Sequence, residues 1–284
     1  MSPWKPLGLI ASGRMRDSLL LRRPALCRFL GPVAAADARL ASRYANRLRA
    51  GQPARPAELR NCGLILVQAG PADLDRVLPL LRAAAPLRGT HLALLSTQLD
   101  SSALEEFRAS GARVCSVAAA PAAARDLIVL EGDSAAMRRA RPWLEEAHLR
   151  CLELKPRTKP LFLLGLQAVT GLLPPLLDAA MRSLRAAGLP AAEARRMLRF
   201  LAESAVRSFV AHGRKGWENP AAPGRLPLLE RQLEAAMAQN PPLAAFQQAL
   251  LRAVGEFYGQ RPGEPQPGEE ESRVLRFPAS ITKV

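Results

Sequence analysis

Residues 7–16, LGLIASGRMR, restrict most narrowly what this chain can fold into. Leu7-Gly8-Leu9-Ile10-Ala11 is an unbroken apolar run, as expected of a strand buried on both faces of a sheet. Ser12-Gly13 reads as a turn, and a helical segment is predicted from Arg14. A strand, a tight turn and a helix start at the head of an α/β chain make a phosphate-binding corner, because free backbone N–H groups converge there. Set against G-x-G-x-x-G, the corner reads Ala11, Ser12, Gly13, Arg14, Met15 and Arg16, so only the middle glycine survives. That glycine is the one that lets the backbone approach a pyrophosphate. Ala11, Ser12, Gly13, Arg14 and Met15 are therefore the candidate nucleotide contacts, although the same residues fit the first βα turn of any α/β protein.

Alternation of strand and helix continues to about residue 155. Strands are predicted at 29–35, 62–69, 90–96, 113–117, 127–131 and 149–154, with helices at 37–50, 72–85, 101–110 and 133–147. The run CGLILVQA suits a central parallel strand. This pattern argues for a doubly wound parallel sheet. Asp37 lies where such sheets place an acid on a ribose hydroxyl, and it also reads as a helix N-cap, the simpler role. Arg39 and Arg43, one helical turn apart, suit either the extra phosphate of NADP or a solvated face.

From Thr158 the β-branched runs stop. An apolar helix is predicted from Leu161 to about Ala187, bent at Pro174-Pro175 and stopped by Gly188. Its interruption by Gln167 and the two prolines favours a core helix over a membrane span. The next helix places Ala194, Met197, Leu198, Leu201, Ala205 and Phe209 on one face, the expected core side. Two more helices follow a loop at 213–225, and a Pro/Gly/Glu-rich segment at 260–284 is expected to be disordered. The predicted organisation is an α/β domain at 1–155, an all-α domain at 156–259 and a tail.

Charge narrows the partners. The net charge of +15 is unevenly spread: residues 1–60 hold 12 basic and 3 acidic residues, and residues 61–155 hold 11 of each. The excess thus gathers around the proposed corner. Aromatics are only 5% and do not interleave with the arginines, so a stacking surface for nucleic acid is not expected. Cys27, Cys62, Cys115 and Cys151 lack metal-ligand spacing and sit in apolar stretches, which predicts buried free thiols, no metal site and a reducing, cytoplasmic setting. The first apolar run is too short and too soon followed by arginine for a signal peptide.

Several short motifs follow the same order as in one known family. Ala69-Gly70-Pro71-Ala72-Asp73-Leu74 stands where that family has V-P-D-x-x-L, and Leu94-Leu95-Ser96-Thr97 where it has H-x-S-G. Ser116-Val117-Ala118-Ala119 aligns with S-x-H-P, and Val129-Leu130-Glu131-Gly132-Asp133 keeps x-x-E-G-D. Lys159-Pro160-Leu161-Phe162-Leu163 aligns with K-x-L-Y-H, and residues 219–225 with G-P-x-x-R-G-D. Over about residues 6–255 the chain resembles a bacterial family of predicted NADP-binding oxidoreductases whose helical half is a domain of unknown function. That family is distantly related to pyrroline-5-carboxylate reductase, ketopantoate reductase and the deazaflavin-dependent NADP reductases.

The resemblance implies a Rossmann-like domain, NADP or NAD as cofactor and a substrate near Ser96, Ser116 and Lys159 between the domains. The long helix from Leu161 to Ala187 is expected to form a homodimer interface in the helical domain. Polar groups at the motif positions are largely replaced by Leu, Ala, Phe and Pro, while folding signals are kept. Two functions therefore stand side by side. One is an NAD(P)-dependent oxidoreductase, with Lys159, Ser96 and Ser116 as candidate catalytic residues. The other is a non-catalytic relative acting as nucleotide sensor, scaffold or dimerising protein. His91, His148 and His212 fall on none of the motifs and read as surface, edge or helix-end residues.

Overall fold

The computed structural model describes residues 6–13, 15, 18–120, 126–216 and 226–259. Arg14, Arg16 and Asp17, the motif segment at 219–225 and the Pro/Gly/Glu-rich segment from 260 lie outside the described residues. The chain divides into two compact units, Met1–Gln167 and Ala168–Val284.

The first unit is built on β1 (Leu7–Ala11), β2 (Leu30–Ala34), β3 (Gln52–Pro53), β4 (Leu64–Gln68), β5 (His91–Leu95), β6 (Arg113–Ala119), β7 (Leu127–Gly132) and β8 (Arg150–Leu154). They form one sheet in the order β3-β2-β1-β4-β5-β6-β7-β8. Neighbours pair in parallel except β6 and β7, which are antiparallel with Ser116 opposite Glu131. The wholly parallel sheet expected from the alternation is corrected there. Only residues 120–126 join the two strands, too few for a parallel crossover, which takes about a dozen or more.

The two faces of the sheet follow the period of two along each strand. Leu7, Leu9, Leu64, Leu66, Leu95 and Val117 face one side, against α1 (Leu19–Arg22), α2 (Ala38–Leu48) and α5 (Ser134–Glu145). Ile10, Ile65, Val67, Leu92, Leu94 and Val114 face the other, against α3 (Leu74–Ala83) and α4 (Glu105–Ala109). Both faces are covered, which is why the strands read as continuous apolar runs. Trp143 of α5 is buried and donates its indole N–H to Leu26 O at 2.9 Å. The last element of this unit is α6 (Lys159–Gln167).

The second unit holds α7 (Leu173–Ala186), α8 (Ala191–His212), α9 (Leu226–Gln239) and α10 (Pro241–Gly259). A π turn at Ala168–Leu172 links α6 to α7, so helix runs unbroken over Lys159–Ala186. The irregularity expected at Pro174-Pro175 thus falls just before the prolines. Two successive prolines remove two ladder donors, and a wider turn ahead of them absorbs the mismatch without ending the helix.

The core reading of these helices is corrected. Along Lys159–Ala186 only Lys159 and Ala179 are buried. On α8 only Ala194 is, and Met197, Leu201 and Phe209 are exposed. An amphipathic pattern marks a face that wants cover; it does not identify what covers it. The helix is long and apolar enough, by length and composition only, to cross a membrane.

Candidate functional site

The strand order reverses direction between β1 and β4, and a crevice opens beyond the carboxyl ends of these strands, as open α/β sheets require. The crevice has a volume of about 600 Å³. Its polar lining includes Ser12, Gln68, Asp73 and Ser96, with Arg22 and Arg76 as its cations. Gly13 has φ +75°, a left-handed conformation that an L side chain adopts only under strain. Its carbonyl accepts the Tyr44 hydroxyl of α2 at 2.8 Å. Ser12 is tied to β4 by its N–H, which donates to Gln68 O at 3.2 Å.

Gln68 forms the polar floor. Its side-chain oxygen accepts Ser18 Oγ at 2.8 Å, and its amide donates to Leu95 O at 3.3 Å, so one side chain locks the β1 turn, β4 and β5 together. Asp73 closes the corner from the β4 side. A Cβ placed on Gly13 would overlap Oδ2 and Cγ of Asp73 and lie 2.6 Å from its Oδ1. The space that the missing side chain leaves is therefore taken by a carboxylate, which pairs with Arg76 at 3.7 Å. Burial, and after it the Asp73 charge, hold the Tyr44 phenol above its ordinary pKa. Gln68 and Asp73 are the residues sequence reasoning passed over. The signal for Gln68 was its place as the one polar residue in CGLILVQA; Asp73 gave no comparable local signal.

The structure divides the candidate cofactor contacts. Ser12 and Gly13 line the crevice, and Ala11 ends β1 beside them with its side chain fully buried. The Met15 side chain is buried in the hydrophobic core, which leaves its backbone as the part that a ligand at the corner could meet. Arg14 lies outside the described residues. Asp37 is the N-cap of α2, its Oδ1 accepting Leu40 N–H at 2.7 Å. Arg39 and Arg43 are exposed on α2. The first α-helix described after the corner, α1, is a single turn of four residues, and its Arg22 lines the crevice.

Ser96, Ser116 and Lys159 are brought together, but not around the crevice. Lys159 Nζ donates to Ser96 O and Leu99 O at 2.6 Å each and approaches Ser116 Oγ at 3.4 Å. The lysine is buried, with all three donors in use. Burial lowers its pKa to about 8, against the opposing pull of the Glu131 and Asp100 charges. Ser116 is buried too, and donates to Glu131 Oε2 at 3.0 Å. Only Ser96 lines the crevice, where its Oγ accepts Leu99 N–H at 3.1 Å. The cluster centres on Glu131, a fully buried carboxylate that also accepts Ser101 N–H and Oγ–H at 2.8 Å each and Arg157 N–H at 2.6 Å.

The retained Glu131-Gly132-Asp133 is thus a structural node. A Cβ on Gly132 would lie 2.5 Å from Val114 O and 2.8 Å from Cys115 Cα, backbone atoms that cannot step aside. Asp133 stands at the N-cap position of α5 without capping it; its carboxylate accepts Val114 N–H at 2.8 Å and Arg108 Nε–H at 3.2 Å instead. Among the described residues no three His, Cys, Asp or Glu side chains come close enough to hold a metal. Cys27 and Cys62 are buried free thiols with pKa values pushed up to about 11 by burial.

The sequence matches no protein-family model and no curated protein. Solved structures do match. An imine reductase variant from Myxococcus stipitatus in complex with NAD+ aligns over 96% of this chain and 99% of its own, at 16% identity and TM-score 0.64. A reductive aminase from Aspergillus terreus in complex with NADPH and ethyl-5-oxohexanoate aligns over 89% and 94%, at 18% identity and TM-score 0.56. A protein from Thermotoga maritima aligns over 89% and 100%, at 17% identity and TM-score 0.54. The chain has the fold of these proteins, a Rossmann-like α/β domain followed by a helical one.

Proposed function

We propose that this chain is an NAD(P)-binding protein of the oxidoreductase type, with the crevice at the β1/β4 switch point as its cofactor site. One observation carries the reading: Gly13, the glycine needed for pyrophosphate approach, holds φ +75° at the mouth of a crevice of about 600 Å³. The volume suits a cofactor-sized ligand. Ser12 and Gly13 would hold the diphosphate, and Asp37 with Arg39 and Arg43 of α2 would face the ribose of the adenosine half. The fit requires a diphosphate to displace the Asp73 carboxylate from the corner or to tolerate it there. Fold likeness to an imine reductase bound to NADP+ supports the same ligand class. NAD(P) supplies the hydride for reduction of a carbonyl or imine, and the protein's part is to bind and orient. A homodimer through the helical unit completes the reading, since that unit leaves Phe200, Phe209 and Val210 exposed.

A second reading, a non-catalytic nucleotide sensor or scaffold, is favoured by the fate of the polar groups. Reduction of a carbonyl or imine needs a positioned proton donor. Lys159 and Ser116 are buried and committed to structural bonds, which leaves Ser96 as the one of the three facing the crevice. The deciding experiment is calorimetric titration of the full chain with NADPH and NADH, followed by a carbonyl and imine substrate screen. Saturable binding below millimolar concentration, weakened by Gly13→Asp, supports the cofactor reading, and turnover in the screen supports catalysis. No binding by the native chain at millimolar nucleotide overturns the cofactor reading. Binding without turnover on any substrate leaves the sensor or scaffold.

A further inference from the structure

We propose that Asp73 is the specificity-determining residue of the crevice, a fixed negative charge set where a cofactor's diphosphate would lie. The proposal rests on the cofactor reading for the location of that diphosphate, and on this chain's geometry for the rest. Gly13 is bare on one side and its φ is +75°, so the corner can admit an external group close to the backbone. The group that takes the space is the Asp73 carboxylate, overlapping the position of a Gly13 Cβ. The glycine that would admit a phosphate thus admits a carboxylate.

Three further features fix the charge there. Asp73 is the C-terminal residue of the 3-10 turn Pro71–Asp73, and its N–H donates to Gly70 O at 3.0 Å, which sets its backbone beside the corner. Arg76, one turn on, holds the carboxylate at 3.7 Å. Tyr44 closes the opposite side by donating to Gly13 O, so the glycine cannot retreat from the acid.

The consequence is selection by charge. Two like charges about 4 Å apart repel strongly at the partly exposed edge of a protein, even after screening. A diphosphate must displace the carboxylate or tolerate it, and either course weakens its binding. A nucleoside without phosphate meets no such penalty. Removing the charge at nearly constant shape should therefore tighten binding of anions and leave neutral ligands alone.

The test compares the full native chain with Asp73→Asn and Asp73→Ala, using NADPH, inorganic pyrophosphate and adenosine as probes in calorimetry, with circular dichroism to check folding. Both variants should bind NADPH and pyrophosphate roughly 10- to 100-fold more tightly than the native chain, with adenosine unchanged. Tightening by Asp73→Ala alone would make the effect steric and overturn the charge assignment. Equal NADPH affinity in all three proteins overturns the proposal and leaves the cofactor reading standing. Binding by the variants but not by the native chain supports the proposal while the cofactor reading of the native chain fails. No binding by any of the three overturns both.

Discussion

Glu131 takes four donors on its two oxygens, and Lys159 spends all three of its protons on the loop that ends β5 and on Ser116. The two make no direct ion pair, but the Glu131 charge supports the buried ammonium. Removing either leaves the other less compensated in a buried site, at a cost of up to about 3–5 kcal/mol, that of a broken buried pair. Lys159→Met should therefore lower stability by up to that amount in urea unfolding. Glu131→Gln should do the same, and the double variant should lose less than the two losses added. Full additivity would mean the two groups do not sense each other.

The same lysine sets a pH signature. Burial lowers its folded pKa from 10.5 to about 8, so between these values the unfolded chain binds more protons than the folded one. Its cost to folding is full below pH 8 and fades as pH rises toward 10.5. The stability gap between the native chain and Lys159→Met should accordingly widen from pH 8 to pH 10 in parallel urea titrations; a constant gap would contradict the burial assignment. Lys159 and Ser96 were legible as sequence candidates because they fall on motif positions, but their roles were not. A motif gives residue type and order, while saturation of a donor depends on partners more than 60 positions away, as with the bond of Lys159 to Ser96 O. Asp73 was hidden for the same reason, since it meets Gly13 only through the fold.

Elements were more legible, because a strand or helix announces itself within its own length. Asp37 shows both the reach and the limit of that. Its spacing after Gly13 allowed a ribose contact or a cap, and the bond from Leu40 N–H shows the cap. Asp37→Ala should cost about 1 kcal/mol, and Asp37→Ser should restore most of it. Failure of serine to rescue in thermal unfolding would mean the carboxylate has another structural task. The direction of β7 could also be read locally, from the seven residues that separate it from β6, and the parallel expectation overrode that count. What no element reveals is its cover. The faces of α2 and α5 are buried on the sheet, whereas the equally apolar α8 leaves Phe200, Val206 and Val210 in the open.

At the scale of the whole molecule the two units are unequally equipped. The first has a hydrophobic cluster on each face of its sheet. In the second, Ala179, Ala194, Leu229, Leu233, Leu243 and Ala244 are the buried apolar side chains among the described residues. Its exposed ones include Leu172, Phe200, Val206, Phe209 and Val210. On α8 Phe200, Val206, Phe209 and Val210 fall within one half of the circumference at the helical period, on a helix that also carries charged residues such as Arg195, Arg199 and Glu203. Exposed apolar side chains grouped in this way call for cover. Each large side chain covered gains about 1.5–3 kcal/mol, so a handful can offset the cost of association, about 4–15 kcal/mol. A second copy of the chain would present the same surface and would give a closed two-fold pairing. Sedimentation should then show a dimer, and the unfolding temperature should rise with protein concentration because the partner binds the folded state. Phe200→Glu combined with Val210→Glu should yield a monomer with lowered thermal stability of the helical unit and an unchanged sheet. A native monomer whose unfolding is independent of concentration would overturn the dimer. If that monomer also bound lipid vesicles, the apolar run over Lys159–Ala186 would be covered by a membrane instead.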